Sequence, residues 1–175
     1  MQKVKLPHQV DPVKSALKRS DYKGVLAVKD MERLAGSVVS YDEWVDVEVQ
    51  FKKDEQGLTV FRGALDTKVS LICQRCNEAF DCPLHVEFCF SPVQGQQDAE
   101  ALPEAYDPVE VGDHGEVSLL HLFEDELILS LPIVPFHAEE ACTGSSDDMQ
   151  FGEIEPEQKQ PNPFAVLKEL KRDQE

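Results

Sequence analysis

The chain has 175 residues, of which 17 are Lys or Arg and 34 are Asp or Glu, so its formal net charge is −17. Hydrophobic residues make up 41% of the chain, which excludes a wholly disordered acidic polypeptide because a core can be buried. No apolar leader precedes the first charged residues, and the apolar run 127–136 is shorter than the ~18 residues of a membrane span. With five cysteines and no leader, we expect a cytoplasmic protein with reduced thiols.

The charges are unevenly distributed along the sequence. Residues 76–158 form an acidic half with 20 carboxylates and no Lys or Arg, which would repel nucleic acid at low salt. Residues 1–24 form a basic segment with six cations and two carboxylates, a net charge of +4. A solvated helix face is the ordinary explanation of such a charge run. The alternative is direct RNA binding, for which the candidate residues are Lys3, Lys5, Lys14, Lys18, Arg19 and Lys23.

A short helix is predicted directly after residue 11. Asp11 is a typical N-cap and Pro12 a typical first-turn residue, and the apolar side chains of Val13, Ala16 and Leu17 then share one face. A second helical turn is predicted at 30–35. We expect the first helix to bury its apolar face and expose its cations.

Three strands are predicted in the middle of the chain. Residues 45–51 alternate between apolar and charged side chains, a turn follows at 54–57, and residues 58–73 form a second strand that is bent or bulged near Gly63. The third strand has the clearest alternation, which turns Cys82 inward and Cys89 outward. Its predicted inner face consists of Phe80, Cys82, Leu84, Val86, Phe88 and Phe90.

The last third of the chain is predicted to contain a loop and two helices. Residues 94–115 have the composition of a long exposed acidic loop. Ser118 caps a helix with its solvated side at Glu124, Asp125 and Glu126. Asn162-Pro163 begins a short C-terminal helix. The predicted apolar stripe of the first of these helices is Leu120, Phe123, Leu127 and Leu131, and that of the second is Phe164, Leu167 and Leu170.

These elements predict an α+β fold with an antiparallel β-sheet, either open or barrel-like, flanked by short helices, acidic loops and a C-terminal helical tail. We expect a single domain at 1–150, followed by a flexible tether and a short helix at 151–175.

A possible metal site begins at Cys73-Gln74-Arg75-Cys76, which lies between two predicted strands, where a tight turn can direct two sulfur atoms at one point. One CxxC is half of a zinc site, and the chain offers a second half only at His137 and Cys142. The candidate ligands are therefore Cys73, Cys76, His137 and Cys142, with zinc as the candidate cofactor and free structural thiols as the alternative. A redox role is disfavoured because a strand, rather than a helix, follows the motif.

The sequence contains no phosphate-binding glycine loop, nucleophile elbow or metalloprotease motif, so we predict a protein that is not an enzyme and has no small-molecule substrate.

Several short segments together carry a resemblance over essentially the whole chain: 2–7, 11–13, 73–76, 90–93, 101–106, 124–126, 131–132 with Pro135 and His137, and 161–167. They resemble the YceD family of large ribosomal RNA subunit accumulation proteins. Many relatives carry a fuller set of cysteines in the region that matches 137–144, which resembles a complete zinc ribbon, whereas this chain keeps only His137 and Cys142 there.

The resemblance implies a non-catalytic cytoplasmic factor of ribosome biogenesis, required for the synthesis, processing or accumulation of large-subunit (23S) ribosomal RNA, with that RNA or a pre-large-subunit particle as partner. The acidic half favours a second possibility, an escort for a basic ribosomal protein. A zinc-binding or thiol-dependent protein of other function is the third.

Overall fold

The computed structural model of the chain describes residues 4–144. The chain divides into two compact units, 1–142 and 143–175, and the fold described below is that of the first. The C-terminal helix that the sequence predicts lies outside the described residues, so this helix and the domain boundary at 150 stay predictions. Within 4–144, no helix is long and apolar enough to cross a membrane.

The first unit contains eight strands and four α-helices among its described residues. Two 3₁₀ turns lie at Val28–Asp30 and Glu139–Ala141. The strands are β1 (Gln9–Val10), β2 (Asp21–Ala27), β3 (Ser40–Tyr41), β4 (Trp44–Lys53), β5 (Thr59–Ile72), β6 (Ala79–Val93), β7 (Asp107–Glu110) and β8 (Val117–Ser118). The helices are α1 (Pro12–Lys18), α2 (Glu32–Ser37), α3 (Gln96–Glu100) and α4 (Leu119–Leu129).

The main sheet has the strand order β2-β4-β5-β6-β7, and β3 pairs with β5. All of these pairs are antiparallel except β6 with β7, which is parallel. A separate two-stranded ribbon joins β1 to β8. The α+β fold class predicted from the sequence is confirmed.

The sheet is open, so the barrel-like alternative is wrong. At the β2 edge, the N-terminal segment supplies the hydrogen bonds that closure would have supplied: the Val25 N–H donates to the Val4 carbonyl over 2.9 Å, and the Leu6 N–H donates to the Val25 carbonyl over 3.1 Å. At the other edge lies β7, which is only four residues long. Since backbone groups at an edge need partners rather than a closed ring, a short covering segment is sufficient.

One face of the sheet, here called the inner face, carries the core. The alternating residues of β4, β5 and β6 fall into cross-strand rows on this face, such as Phe51, Phe61 and Phe90, which are at most 3% exposed. The Phe88 and Phe123 ring centroids are 4.9 Å apart, which packs α4 against the same face. The alternation predicted for β4 and β6 is therefore confirmed, with Cys82 packed against the core and Cys89 half-buried on the outer face.

No bulge interrupts β5 at Gly63. The registers of β5 with β4 and with β6 continue unbroken through this residue. A Cβ atom at Gly63 would lie 1.8 Å from the Glu48 carbonyl oxygen. The glycine is required by this close approach of two backbones rather than by a bulge.

Helix α1 begins as predicted, but it buries a different face. The Asp11 carboxylate accepts a hydrogen bond from the Lys14 N–H at 2.8 Å, as expected for an N-cap. Val13 and Leu17, which the pattern placed inside, are 44% and 66% exposed. The buried positions are Pro12, Ser15 and Ala16. Ser15 and Ala16 have small side chains that let a helix of seven residues approach β4 and β5 closely.

Residues 94–115 are not a simple loop. They contain α3 and β7, and β7 adds a parallel strand to the edge of β6. A sequence rich in Asp, Glu, Pro and Gly gives no apolar periodicity, so these short elements depend on the neighbouring strand and were not predictable from local pattern.

Helix α4 begins at the predicted cap, with the Ser118 hydroxyl accepting from the His121 N–H at 3.4 Å, but Glu124 is not on its solvated side. The Glu124 side chain is 4% exposed and accepts hydrogen bonds from the backbone N–H groups of Arg33 at 2.7 Å and Leu34 at 3.2 Å. The Arg33 guanidinium adds an ion pair at 2.9 Å. Glu124 therefore caps α2, whose preceding residue Met31 has no capping side chain, from a distant part of the chain.

Burial by itself would raise the pKa of Glu124, but its hydrogen bonds with the Arg33 side chain and with the two backbone N–H groups outweigh burial and hold the pKa below the ordinary value of 4.5. A lowered carboxyl pKa contributes stability that is present above pH 4.5 and is lost as pH falls through the folded-state pKa.

We expect Glu124→Gln to lower the free energy of unfolding by about 2 kcal/mol at pH 7, because a buried charged acceptor of two backbone donors is lost. The loss should shrink as the pH falls below 4.5, because the wild-type carboxylate itself becomes protonated when the pH passes through its lowered folded-state pKa. Urea denaturation at pH 7 and pH 3 measures both effects. The control is Asp125→Asn, which removes a half-exposed partner of the same Arg33 and should cost less. Equal costs for the two variants would contradict the capping role.

Candidate metal centre

The CxxC motif forms the turn between β5 and β6. The Cys73 N–H donates to the Glu78 carbonyl and the Asn77 N–H donates to the Cys73 carbonyl, both over 2.9 Å. Asn77 adopts a left-handed conformation with φ of 59°, which Asn tolerates better than most residues. This tight turn brings Cys73, which is fully buried, and Cys76, which is partly buried, to the same end of the sheet.

The second half of the site is held against this turn by backbone and ring contacts. The Gln74 N–H donates to the Pro135 carbonyl over 2.9 Å, and the His137 ring packs 5.4 Å from the Phe80 ring. A 3₁₀ turn then directs the chain back toward the cysteines, with the Cys142 N–H donating to the Glu139 carbonyl over 3.1 Å.

The four residues predicted as ligands lie together. One ligand atom each from Cys73, Cys76, His137 and Cys142 lies within 4.8 Å of all the others. The His137 Nδ1 and Nε2 atoms lie 4.0 Å and 3.8 Å from the Cys76 sulfur, and Nε2 also lies 2.7 Å from the Ala141 carbonyl oxygen. Histidines that bind a metal through one ring nitrogen usually donate the other N–H to a carbonyl or carboxylate, so the contact with Ala141 leaves Nδ1 as the nitrogen available to a metal.

The Cys73 thiol has a lowered pKa. Burial would raise its pKa, but backbone N–H groups of Cys76, His137 and Arg75 hydrogen-bond to the sulfur and lower the pKa to about 6. The Arg75 N–H lies 3.4 Å from this sulfur. A thiolate is the form that binds metal, so the turn favours the protonation state that a metal ligand requires.

Three thiolates and one imidazole fit zinc. This ligand set is typical of structural zinc sites, which are tetrahedral and are closed by four protein ligands. A tetrahedral zinc ion with Zn–S bonds of about 2.3 Å and Zn–N bonds of about 2.05 Å separates sulfur from nitrogen by about 3.6 Å, close to the distance between Cys76 and His137. The four protein ligands would bind the ion, and the ion would cross-link the two segments that carry them. No coordination position would be left for a substrate.

The described basic residues of the N-terminal segment differ in their partners. Lys14 forms an ion pair with Asp11 at 2.9 Å, and Lys23 forms one with Glu48. The Lys5 ammonium group lies 5.4 Å from the centre of the Trp44 ring. Lys3 is outside the described residues. Lys18 and Arg19 have no ion pair within 4–144, and they lie at the end of α1.

Two basic residues that the sequence analysis did not select lie near the end of α1. Lys52 and Lys53, at the end of β4, line the same groove as Arg19. Only a prediction of how α1 packs on β4 could have found them, because 33 residues separate Lys52 from Arg19 in the sequence.

Comparison with known proteins identifies relatives. The family model described as "Large ribosomal RNA subunit accumulation protein YceD" matches residues 61–171. The chain is also 48% identical to the Haemophilus influenzae protein of that name, over 174 residues that cover 98% of this chain and 99% of the relative. The chain belongs to the YceD family. No solved structure matches it.

In this family member, we expect about one zinc ion per chain after purification without chelators, measured by elemental analysis. Cys73→Ser and Cys142→Ser should each remove the metal and lower the melting temperature by about 5 °C or more, because a metal bound here closes a loop of about sixty residues. The double variant should cost little more than either single one.

The control is Cys82→Ser, which places a hydroxyl on the inner face and costs stability through a poorly partnered polar group while leaving the metal content unchanged. Less than about a tenth of a zinc ion per wild-type chain, with no rise in melting temperature on adding zinc, would contradict the metal centre.

Proposed function

We propose that this protein is a non-catalytic cytoplasmic factor of ribosome biogenesis, required for the synthesis, processing or accumulation of large-subunit (23S) ribosomal RNA. The observation that carries the proposal is the 48% identity, over nearly the full length of both chains, to a protein named for large ribosomal RNA subunit accumulation. Its partner would be that RNA or a pre-large-subunit particle.

We also propose that the Cys₃His centre holds zinc in a structural role. Four protein ligands would fill a tetrahedral zinc ion, whereas catalytic zinc sites keep one position open for water or substrate. Bound zinc would join the β5–β6 turn to residues 135–142 and so stabilise one end of the sheet.

Deleting the gene in a bacterium that carries it tests the function. We expect the ratio of 23S to 16S ribosomal RNA to fall, and a plasmid copy of the wild-type gene to restore it. Cys73→Ser should restore it poorly if zinc maintains the fold, and Cys82→Ser should restore it well. An unchanged ratio in the deletion strain would contradict the proposed function.

A second candidate function is that of an acidic escort for a basic ribosomal protein, and the outer face of the sheet supports it. β4, β5 and β6 present the exposed carboxylates of Asp46, Glu48, Asp66 and Glu87 on this face. An open trough of about 660 Å³ lies beside Glu48 and Glu87, and its lining contains these two carboxylates, that of Asp107 and the Arg62 guanidinium. Such a surface attracts a cationic polypeptide and repels RNA.

Affinity purification of the tagged protein, with and without ribonuclease, tests the escort function. A basic ribosomal protein that stays bound after ribonuclease treatment, and that is lost from Glu48→Lys/Glu87→Lys in the lining of the trough, would support it. Glu55→Lys/Glu104→Lys makes the same change of net charge at exposed sites away from the trough and should leave binding intact. Loss of every protein partner on ribonuclease treatment would contradict it.

A further inference from the structure

Half of the basic side chains in the described part of this acidic protein already have a partner. Within residues 4–144, six of the twelve Lys and Arg side chains contact a carboxylate or an aromatic ring, and the other six have no such partner. The engaged residues are Lys5, Lys14, Lys23, Arg33, Lys68 and Arg75. Those without a partner are Lys18, Arg19, Lys29, Lys52, Lys53 and Arg62.

Three of the cations without a partner line one groove. This basic groove, of about 540 Å³, lies between the C-terminal end of α1 and the last four residues of β4. Its cations are Arg19, Lys52 and Lys53. Its lining contains one carboxylate, that of Asp21. Lys18 belongs to the last turn of α1, immediately before Arg19.

The backbone around Arg19 holds the end of α1 next to the end of β4. Arg19 ends α1 in a left-handed conformation with φ of 51°, and the next residue, Ser20, accepts a hydrogen bond from the Phe51 N–H at 3.4 Å. This contact fixes the end of the helix beside the Lys52-Lys53 pair. Bringing like charges together raises the local positive potential, and the one carboxylate in the lining can offset only one of the three cations.

We propose that the basic groove binds RNA through its phosphate backbone. This inference rests on the proposed function, since it names the surface through which the protein would contact ribosomal RNA. Phosphate oxygens accept charge-assisted hydrogen bonds from guanidinium and ammonium groups. Gln50 lines both this groove and the acidic trough, so the nearest outer-face carboxylates oppose binding, whereas those beyond a Debye length of about 8 Å are screened at physiological ionic strength.

The groove recognises phosphates rather than base sequence. Phe51 is the one aromatic side chain in its lining, and this ring is 1% exposed, so it cannot stack on a base. Leu17, also in the lining, is 66% exposed and offers only an apolar contact. Affinity should therefore vary little with base composition and should fall steeply with salt.

Fluorescence anisotropy with a labelled single-stranded RNA of about 20 nucleotides tests the proposal at 50–200 mM salt. The groove variant is Arg19→Asn/Lys52→Gln/Lys53→Gln, in which Asn suits the left-handed backbone at position 19. The matched control is Lys14→Gln/Lys23→Gln/Lys68→Gln, which removes the same charge from residues that form ion pairs elsewhere. We expect the groove variant to lose at least tenfold in affinity at 50 mM salt, and its log–log salt slope to fall by about 2. The control should lose less than about threefold.

Several results would overturn the proposal. Wild-type protein that does not bind RNA at 50 mM salt, or equal losses in the groove variant and the control, would remove the groove as a site. Polyglutamate that competes as well as RNA at equal charge would assign the groove to an acidic polypeptide instead. Melting curves show whether each variant is folded. If Arg19→Asn destabilises the protein, the double variant Lys52→Gln/Lys53→Gln is used for the binding measurements instead.

Complementation separates this inference from the proposed function. If the groove variant restores the 23S to 16S ratio of a deletion strain as well as wild type does, RNA binding by the groove has no part in RNA accumulation, and the inference fails while the function stands. If deletion itself leaves the ratio unchanged, the function fails whatever the groove binds.

Discussion

Twelve residue pairs join β5 to β6 in one uninterrupted antiparallel register, from Phe61 with Phe90 to Ile72 with Ala79. A shift of one residue would move every inner-face side chain to the outer face, so burial of the phenylalanine rows holds this register in place. The same register sets the position of the turn that follows Ile72. The core, the CxxC turn and the acidic outer face are therefore three consequences of one strand pairing.

The helices depend on a second, polar constraint. Helix α2 has six residues, too few for a helix that is stable by itself, and no side chain beside its first turn caps it. The Glu124 carboxylate supplies the missing acceptor, and its pairing with Arg33 offsets the cost of burying a charge. One buried carboxylate of the acidic half thus attaches α4 to the N-terminal third of the chain.

The charge distribution looks different in three dimensions than it does along the chain. In sequence, positive charge belongs to residues 1–24 and negative charge to the middle segment. In the folded unit, Lys14 and Lys23 are neutralised by Asp11 and Glu48, while cations from α1 and β4 converge on one groove. Binding by a protein of net charge −17 depends on such local fields, because distant charges are screened.

Four features could be predicted from the sequence, because each follows from short-range periodicity, cap chemistry or residue type: the α+β class, the inner faces of β4 and β6, the caps of α1 and α4, and the residues of the Cys₃His cluster. The other features depend on tertiary contacts. The buried face of α1, the burial of Glu124, the reason for Gly63, the strand β7 and the meeting of Arg19 with Lys52 all depend on contacts between segments far apart in the chain. Local pattern carries no information on such contacts, since they are selected by packing and by the need to pair buried polar groups.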